Sequence, residues 1–168
     1  MTMNSPLSHP TQSEAPVSFS LETSLTHLLH RAGQCATDAF QRFAGDQPVT
    51  ARQFAVLMAV ARMDGASQMD VVKMTGIDRS TLADMVARML VKGLLERQRS
   101  KLDGRAYALS LTAEGRAVLD RSIPAASRAD AFLLSTLDTV QRDQLVTVLD
   151  KLLQSVGPVA EAQANKPD

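Results

Sequence analysis

Residues 78–112, DRSTLADMVARMLVKGLLERQRSKLDGRAYALSLT, limit the possible folds of this chain more than any other stretch. Asp78 can cap a helix, with Arg79, Ser80 and Thr81 in its first turn. Leu82, Met85, Val86, Met89 and Leu90 recur at helical spacing and predict a buried face. Lys92-Gly93 predicts the end of that helix, because glycine tolerates the left-handed conformation past a last turn. Leu94 to Arg99 reads as a strand, and Ala106 to Leu111 alternates like a second. Lys101 to Arg105 turns between them around Gly104.

The stretch is basic. Seven cations (Arg79, Arg88, Lys92, Arg97, Arg99, Lys101 and Arg105) face four anions (Asp78, Asp84, Glu96 and Asp103) in a chain of zero formal net charge. A local cationic patch on a neutral protein is the footprint of a polyanion-binding surface. Upstream, Thr50 can cap a helix from Ala51 to Met63, and Asp64-Gly65 breaks it. Ser67 to Asp70 reads as a capping box that opens a short helix to about Met74. Thr75-Gly76-Ile77 is then a tight turn into Asp78, so the two short helices form a helix-turn-helix.

With these elements in place, the chain resembles the MarR family of winged helix-turn-helix transcriptional regulators over roughly residues 20–155. The family's wing signature, Asp-x-Arg, five residues, Leu-Thr, stands as Asp103-Gly104-Arg105, residues 106–110, and Leu111-Thr112. Lys92-Gly93-Leu94 and the later Gly115 also look like the family. The fold implied is mainly α, with a β-hairpin wing and flanking N- and C-terminal dimerisation helices. The winged helix would span about residues 50–111 and the dimerisation helices about 18–44 and 112–156.

The flanking segments agree with that reading. Leu21, Leu25, Leu28, Leu29, Ala32, Ala36, Phe40 and Phe43 form a stripe on a helix running from Ser18 or Ser20 to about Phe43. Thr112 can cap a fifth helix to about Leu134, in which Gly115 suits close packing and Pro124 predicts a kink or break. Asp138 and Gln141 cap a sixth, whose stripe is Leu145, Val148, Leu149, Leu152 and Val156. Gly157-Pro158 stops it. Long apolar faces outside a small module need a surface to cover them; the resemblance implies that a second copy supplies it, giving a homodimer, with a compact six-helix monomer as the alternative. Residues 1–17 and 157–168, poor in apolar side chains, read as a disordered arm and tail.

The resemblance implies roles for particular residues. Arg79, Ser80 and Thr81 are expected at base edges or nearby phosphates of double-stranded DNA in the major groove, with Asp84 as a base contact. Arg88 is expected on a phosphate or bracing the wing, and Arg97, Arg99 and Lys101 are expected either on phosphates or solvated. Arg105 is expected in a minor groove and Asp103 to orient it. A small aromatic or acyl acid, or its coenzyme A thioester, would bind between the first helix and the winged module and release a palindromic operator. His30, Arg31, Gln34, Met58 and Arg62 are the candidate effector contacts.

Other readings stay open. Cys35, the one cysteine, is either a small buried residue or an oxidant sensor with no partner in the chain to resolve it. His27 and His30 share a helix face but lack further ligands, so no metal is expected. A winged helix can also serve as a protein-interaction module. No phosphate loop, GxSxG, HExxH or CxxC motif is present, so neither an enzyme nor a cofactor is expected. The chain lacks the apolar run of a membrane span and a secretory start, so a cytoplasmic protein with no membrane partner is expected.

Overall fold

The computed structural model describes residues 20–63, 65–99 and 107–156. The helices are α1 (Leu25–Ala44), α2 (Ala51–Arg62), α3 (Gln68–Thr75), α4 (Arg79–Val91), α5 (Ala113–Leu133) and α6 (Thr139–Val156). Two antiparallel strands, β1 (Leu95–Arg99) and β2 (Tyr107–Leu111), pair from Leu95 opposite Leu111 to Arg99 opposite Tyr107. The wing signature at Asp103 and Arg105, with Lys101, lies outside the described residues, as do the expected arm and tail. The described residues divide into two units, one up to Gly33 and one from Gln34 onward.

Local signals set most helix ends. Thr50 accepts a hydrogen bond from the Gln53 N–H, and the Gln53 side chain accepts one in return from the Thr50 N–H at 3.0 Å. Ser67 and Asp70 make the same reciprocal pair at α3. Asp138 and Gln141 repeat it at α6. Each box satisfies two backbone donors that a helix start leaves orphaned.

Two expectations need correction. The first helix begins at Leu25 rather than at Ser18 or Ser20. Residues 21–23 form a turn, and the Ser24 hydroxyl accepts the His27 N–H, which makes Ser24 the effective cap. Pro124 does not break α5, which runs unbroken from Ala113 to Leu133. Proline deprives only the Asp120 carbonyl of its helical donor. Asp120 and Pro124 are both exposed, where solvent can serve that carbonyl. The opposite face (Val118, Leu119, Ser122, Ala125 and Ala129) is buried and holds the helix in place.

Within the second unit the main core gathers Val56, Leu57 and Val60 of α2, Val71 of α3, Leu82, Val86 and Met89 of α4, Leu95 and Leu109 of the strands, and Val118 and Leu119 of α5. A smaller cluster joins Ala39, Phe40 and Ala44 to Ala125 and Ala129, with Phe40 and Phe54 rings 5.3 Å apart. Ala66 adds an isolated bridge to Leu109, whose N–H donates to the Ala66 carbonyl at 2.8 Å. Nothing in the strand pattern points to this bridge, since one residue between a break and a cap carries no periodicity.

The base of the wing is tied to the start of α5. The Thr112 hydroxyl donates to the Gly93 carbonyl at 2.5 Å and accepts the Gly115 N–H at 2.9 Å. Gly115 itself lies against Leu94, so close that an added Cβ would stand 1.9 Å from the Leu94 carbonyl oxygen. Backbone cannot yield as a flexible side-chain end does. Gly115→Ala should therefore destabilise the fold by about 2 kcal/mol or more, in the range of overpacked cores. Chemical denaturation, with an unchanged slope and a lower midpoint, checks this.

Candidate nucleic-acid interface

The turn between α3 and α4 is built for a sharp change of direction. Gly76 takes φ 67° and its N–H donates to the Val72 carbonyl at 2.8 Å, closing α3. That left-handed conformation strongly favours glycine. The Thr75 hydroxyl donates back to the Val71 carbonyl and accepts the Ile77 N–H. Asp78 then starts α4: its carboxylate accepts the Thr81 N–H at 2.9 Å and the Ser80 hydroxyl at 2.8 Å. Hydrogen bonding from Thr81, then Ser80, lowers the Asp78 pKa from 3.8 to about 2.

Helix α4 buries Leu82, Met85, Val86 and Met89. The face away from the core exposes Arg79, Ser80, Ala83, Asp84, Ala87 and Arg88, with Thr81 half-buried. Arg79 and Arg88 flank a lightly built exposed face of short side chains, among them two alanine methyls and the carboxylate of Asp84, which can enter a groove. Arg97 is exposed on β1 opposite Leu109, and Arg99 ends that strand opposite Tyr107. Among the described residues, the one ion pair joins Arg121 to Glu114, so Arg79, Arg88 and Arg97 carry no carboxylate partner there.

The structure thus brings Arg79, Ser80, Thr81, Asp84 and Arg88 together on one element, with Arg97 and Arg99 on the adjoining strand. Lys101, Asp103 and Arg105 lie outside the described residues. Of the candidate effector contacts, His30 and Arg31 are exposed in the first unit. Gln34, Met58 and Arg62 are exposed in the second, where the Gln34 amide donates to Asp38 at 3.1 Å. Cys35 is exposed, which corrects the reading of a buried small residue. It sits on the part of α1 before Ala39, where burial begins.

An open groove of about 380 Å³ lies beside the start of α4, lined by Ala51, Arg52, Ala55, Thr75, Gly76, Ile77 and Asp78. No motif or spacing in the sequence singles out Arg52. It stands 26 residues before Asp78, and only the packing of α2 on α3 brings it there.

A model of the MarR family matches residues 47–106, which span the helix-turn-helix and β1. The HTH-type transcriptional repressor NicR of Pseudomonas putida is 30% identical over 148 residues, covering 86% of this chain and 94% of the relative. The chain belongs to the MarR family. The solved structure of BpsR from Bordetella bronchiseptica, described for regulation of its DNA binding by 6-hydroxynicotinic acid, superposes with a TM-score of 0.74 at 31% identity. That match covers 80% of this chain and 96% of BpsR. The repressor CouR, bound to a 23-mer DNA duplex, gives 0.70 at 30% identity, over 79% of this chain and 94% of CouR. This MarR-family chain is accordingly a transcriptional regulator with a winged-helix fold, mainly α and carrying a two-stranded wing. Its relatives are regulators rather than enzymes, and none of its helices is long and apolar enough to cross a membrane among the described residues.

The cap of α4 gives a pH-dependent expectation. A carboxylate whose folded pKa is depressed stabilises the fold above its unfolded value, here 3.8, and that contribution is lost as pH falls through about 2. Asp78→Asn should therefore be less stable than the parent at pH 6, with the difference shrinking as both are acidified from pH 4 toward 2. Urea melts across that range check it; a constant difference would contradict the ionised cap.

Proposed function

We propose that the protein is a homodimeric repressor that grips double-stranded DNA through α4 and the wing and is released by a small aromatic carboxylic acid. The exposed cations Arg79, Arg88 and Arg97, free of carboxylate partners among the described residues, carry the reading. It is supported by the relative named a repressor and by the neighbour whose DNA binding 6-hydroxynicotinic acid regulates. On DNA, Arg79, Ser80 and Thr81 meet base edges or nearby phosphates in the major groove, and Asp84 meets a base edge. Arg88, Arg97, Arg99 and Lys101 hold phosphates. Arg105, oriented by Asp103, enters the minor groove.

Dimerisation follows from uncovered apolar faces. In the first unit Leu25 and Leu28 are 60% and 44% exposed; in the second, Val148 and Leu153 of α6 are 61% and 73% exposed. Stripes of this kind are expected to be covered by another surface. A two-fold pair would offer two α4 helices to successive major grooves, about one helical turn apart. Light scattering should return about twice the 18.1 kDa chain mass.

The decisive experiment is a DNA-release assay on a duplex selected by the protein from a random pool. Arg79→Ala and Arg105→Ala should each weaken binding while leaving the dimer and helix content intact; indifference of both would favour a protein-interaction module. An aromatic acid should release the duplex about 30- to 150-fold, the range given by ~2 to 3 kcal/mol of differential affinity. An anion entering an apolar site needs donors to offset its desolvation. His30, Arg31, Gln34 and Arg62 are the candidate donors, with Met58 as adaptable apolar lining. Truncating Arg31 or His30 should blunt release without changing ligand-free binding. Release by an acyl acid or a coenzyme A thioester alone would change the effector class. Release by peroxide that Cys35→Ser abolishes would replace ligand sensing with oxidant sensing.

A further inference from the structure

We infer that Arg52 is a further DNA-binding residue, seating a backbone phosphate in the groove between the first turn of α2 and the α3–α4 turn. The inference rests on the DNA-binding reading above and adds a residue outside α4 and the wing. Three polar side chains line the groove: Arg52, Thr75 and Asp78. Two are already engaged. The Thr75 hydroxyl is held by the Val71 carbonyl and the Ile77 N–H, and the Asp78 carboxylate accepts from Thr81 and Ser80. The Arg52 guanidinium is exposed and has no ion pair among the described residues. It is thus the lining group with donors to spare, and a guanidinium fork matches phosphate oxygens.

Position and sign select the ligand. The groove runs against Asp78, the residue that opens the proposed major-groove helix, so a strand flanking that groove passes over it. The Asp78 carboxylate would repel a passing phosphate. A cation on the facing helix offsets this repulsion, and Arg52 is the cation that lines the groove. A bond to phosphate fixes the register of the protein on the duplex without reading its sequence.

The test compares the full-length parent with Arg52→Gln, Arg52→Lys and Arg121→Gln, the last removing the same charge from an exposed site on α5. Binding is measured from low to moderate salt on a duplex selected by the parent and on a scrambled duplex. Arg52→Gln should weaken both by a similar factor, about tenfold, and reduce the log–log salt slope by about 0.9 for each phosphate no longer neutralised. Arg52→Lys should recover most of the slope. Arg121→Gln should match the parent, and thermal melts of all three should match as well. If the parent binds and Arg52→Gln keeps its slope and affinity, the inference is overturned and the DNA reading survives. An equal loss in Arg121→Gln also overturns it, since that marks a net-charge effect. A parent that binds neither duplex overturns the DNA reading and this inference together.

Discussion

Gly115 packs directly on the Leu94 backbone, leaving no room for a side chain between the first turn of α5 and the end of the α4–β1 connection. Thr112 adds hydrogen bonds to both sides of the same junction. The exit of α4, the base of the wing and the start of α5 are therefore fixed at one point. Leu94, Leu95, Val118 and Leu119 are buried around it, so the junction belongs to the core rather than to the surface.

Directional order then passes along α4. The Gly76 turn aims the helix, the Asp78 cap fixes its start, and the buried face of Leu82, Val86 and Met89 fixes its rotation. Rotation is what matters for meeting DNA. A quarter-turn slip would bury Arg79 or Arg88, according to its direction, because the two lie half a turn apart around the helix, and it would expose apolar side chains, at a cost of several kcal/mol of lost burial, on the order of ~2 kcal/mol per large side chain. The exposed face is thus held outward by the core beneath it.

How much of this is legible in the sequence depends on the range of the interaction. The capping boxes at Thr50, Ser67 and Asp138 and the cap at Asp78 act over three residues, and their residue types alone place those helix starts. Close packing at Gly115 follows from a costly glycine inside a helix, although its neighbour, Leu94, lies 21 positions away. The beginning of α1 is misplaced in the sequence, where the apolar stripe from Leu21 draws the start back to Ser18 or Ser20, whereas residues 21–23 turn and the Ser24 hydroxyl takes the His27 N–H. The expected break at Pro124 does not occur, because a local rule meets a long helix whose buried face outweighs one missing hydrogen bond. Arg52 and the Ala66 bridge depend on tertiary neighbours, and no spacing in the chain encodes them. The family resemblance supplies roles for Asp103 and Arg105 that the described residues do not reach.

The unbroken course of α5 through Pro124 has a mechanical consequence. A helix of 21 residues is about 30 Å long, and α5 is packed from Gly115 in its first turn to Ala129 near its end. It therefore touches the wing base at one end and the cluster of Ala39, Phe40 and Ala44 at the other. A break at Pro124 would have divided those two contacts between separate helices. Unbroken, a single element spans both, so a displacement of one cluster is felt at the other through continuous backbone hydrogen bonds.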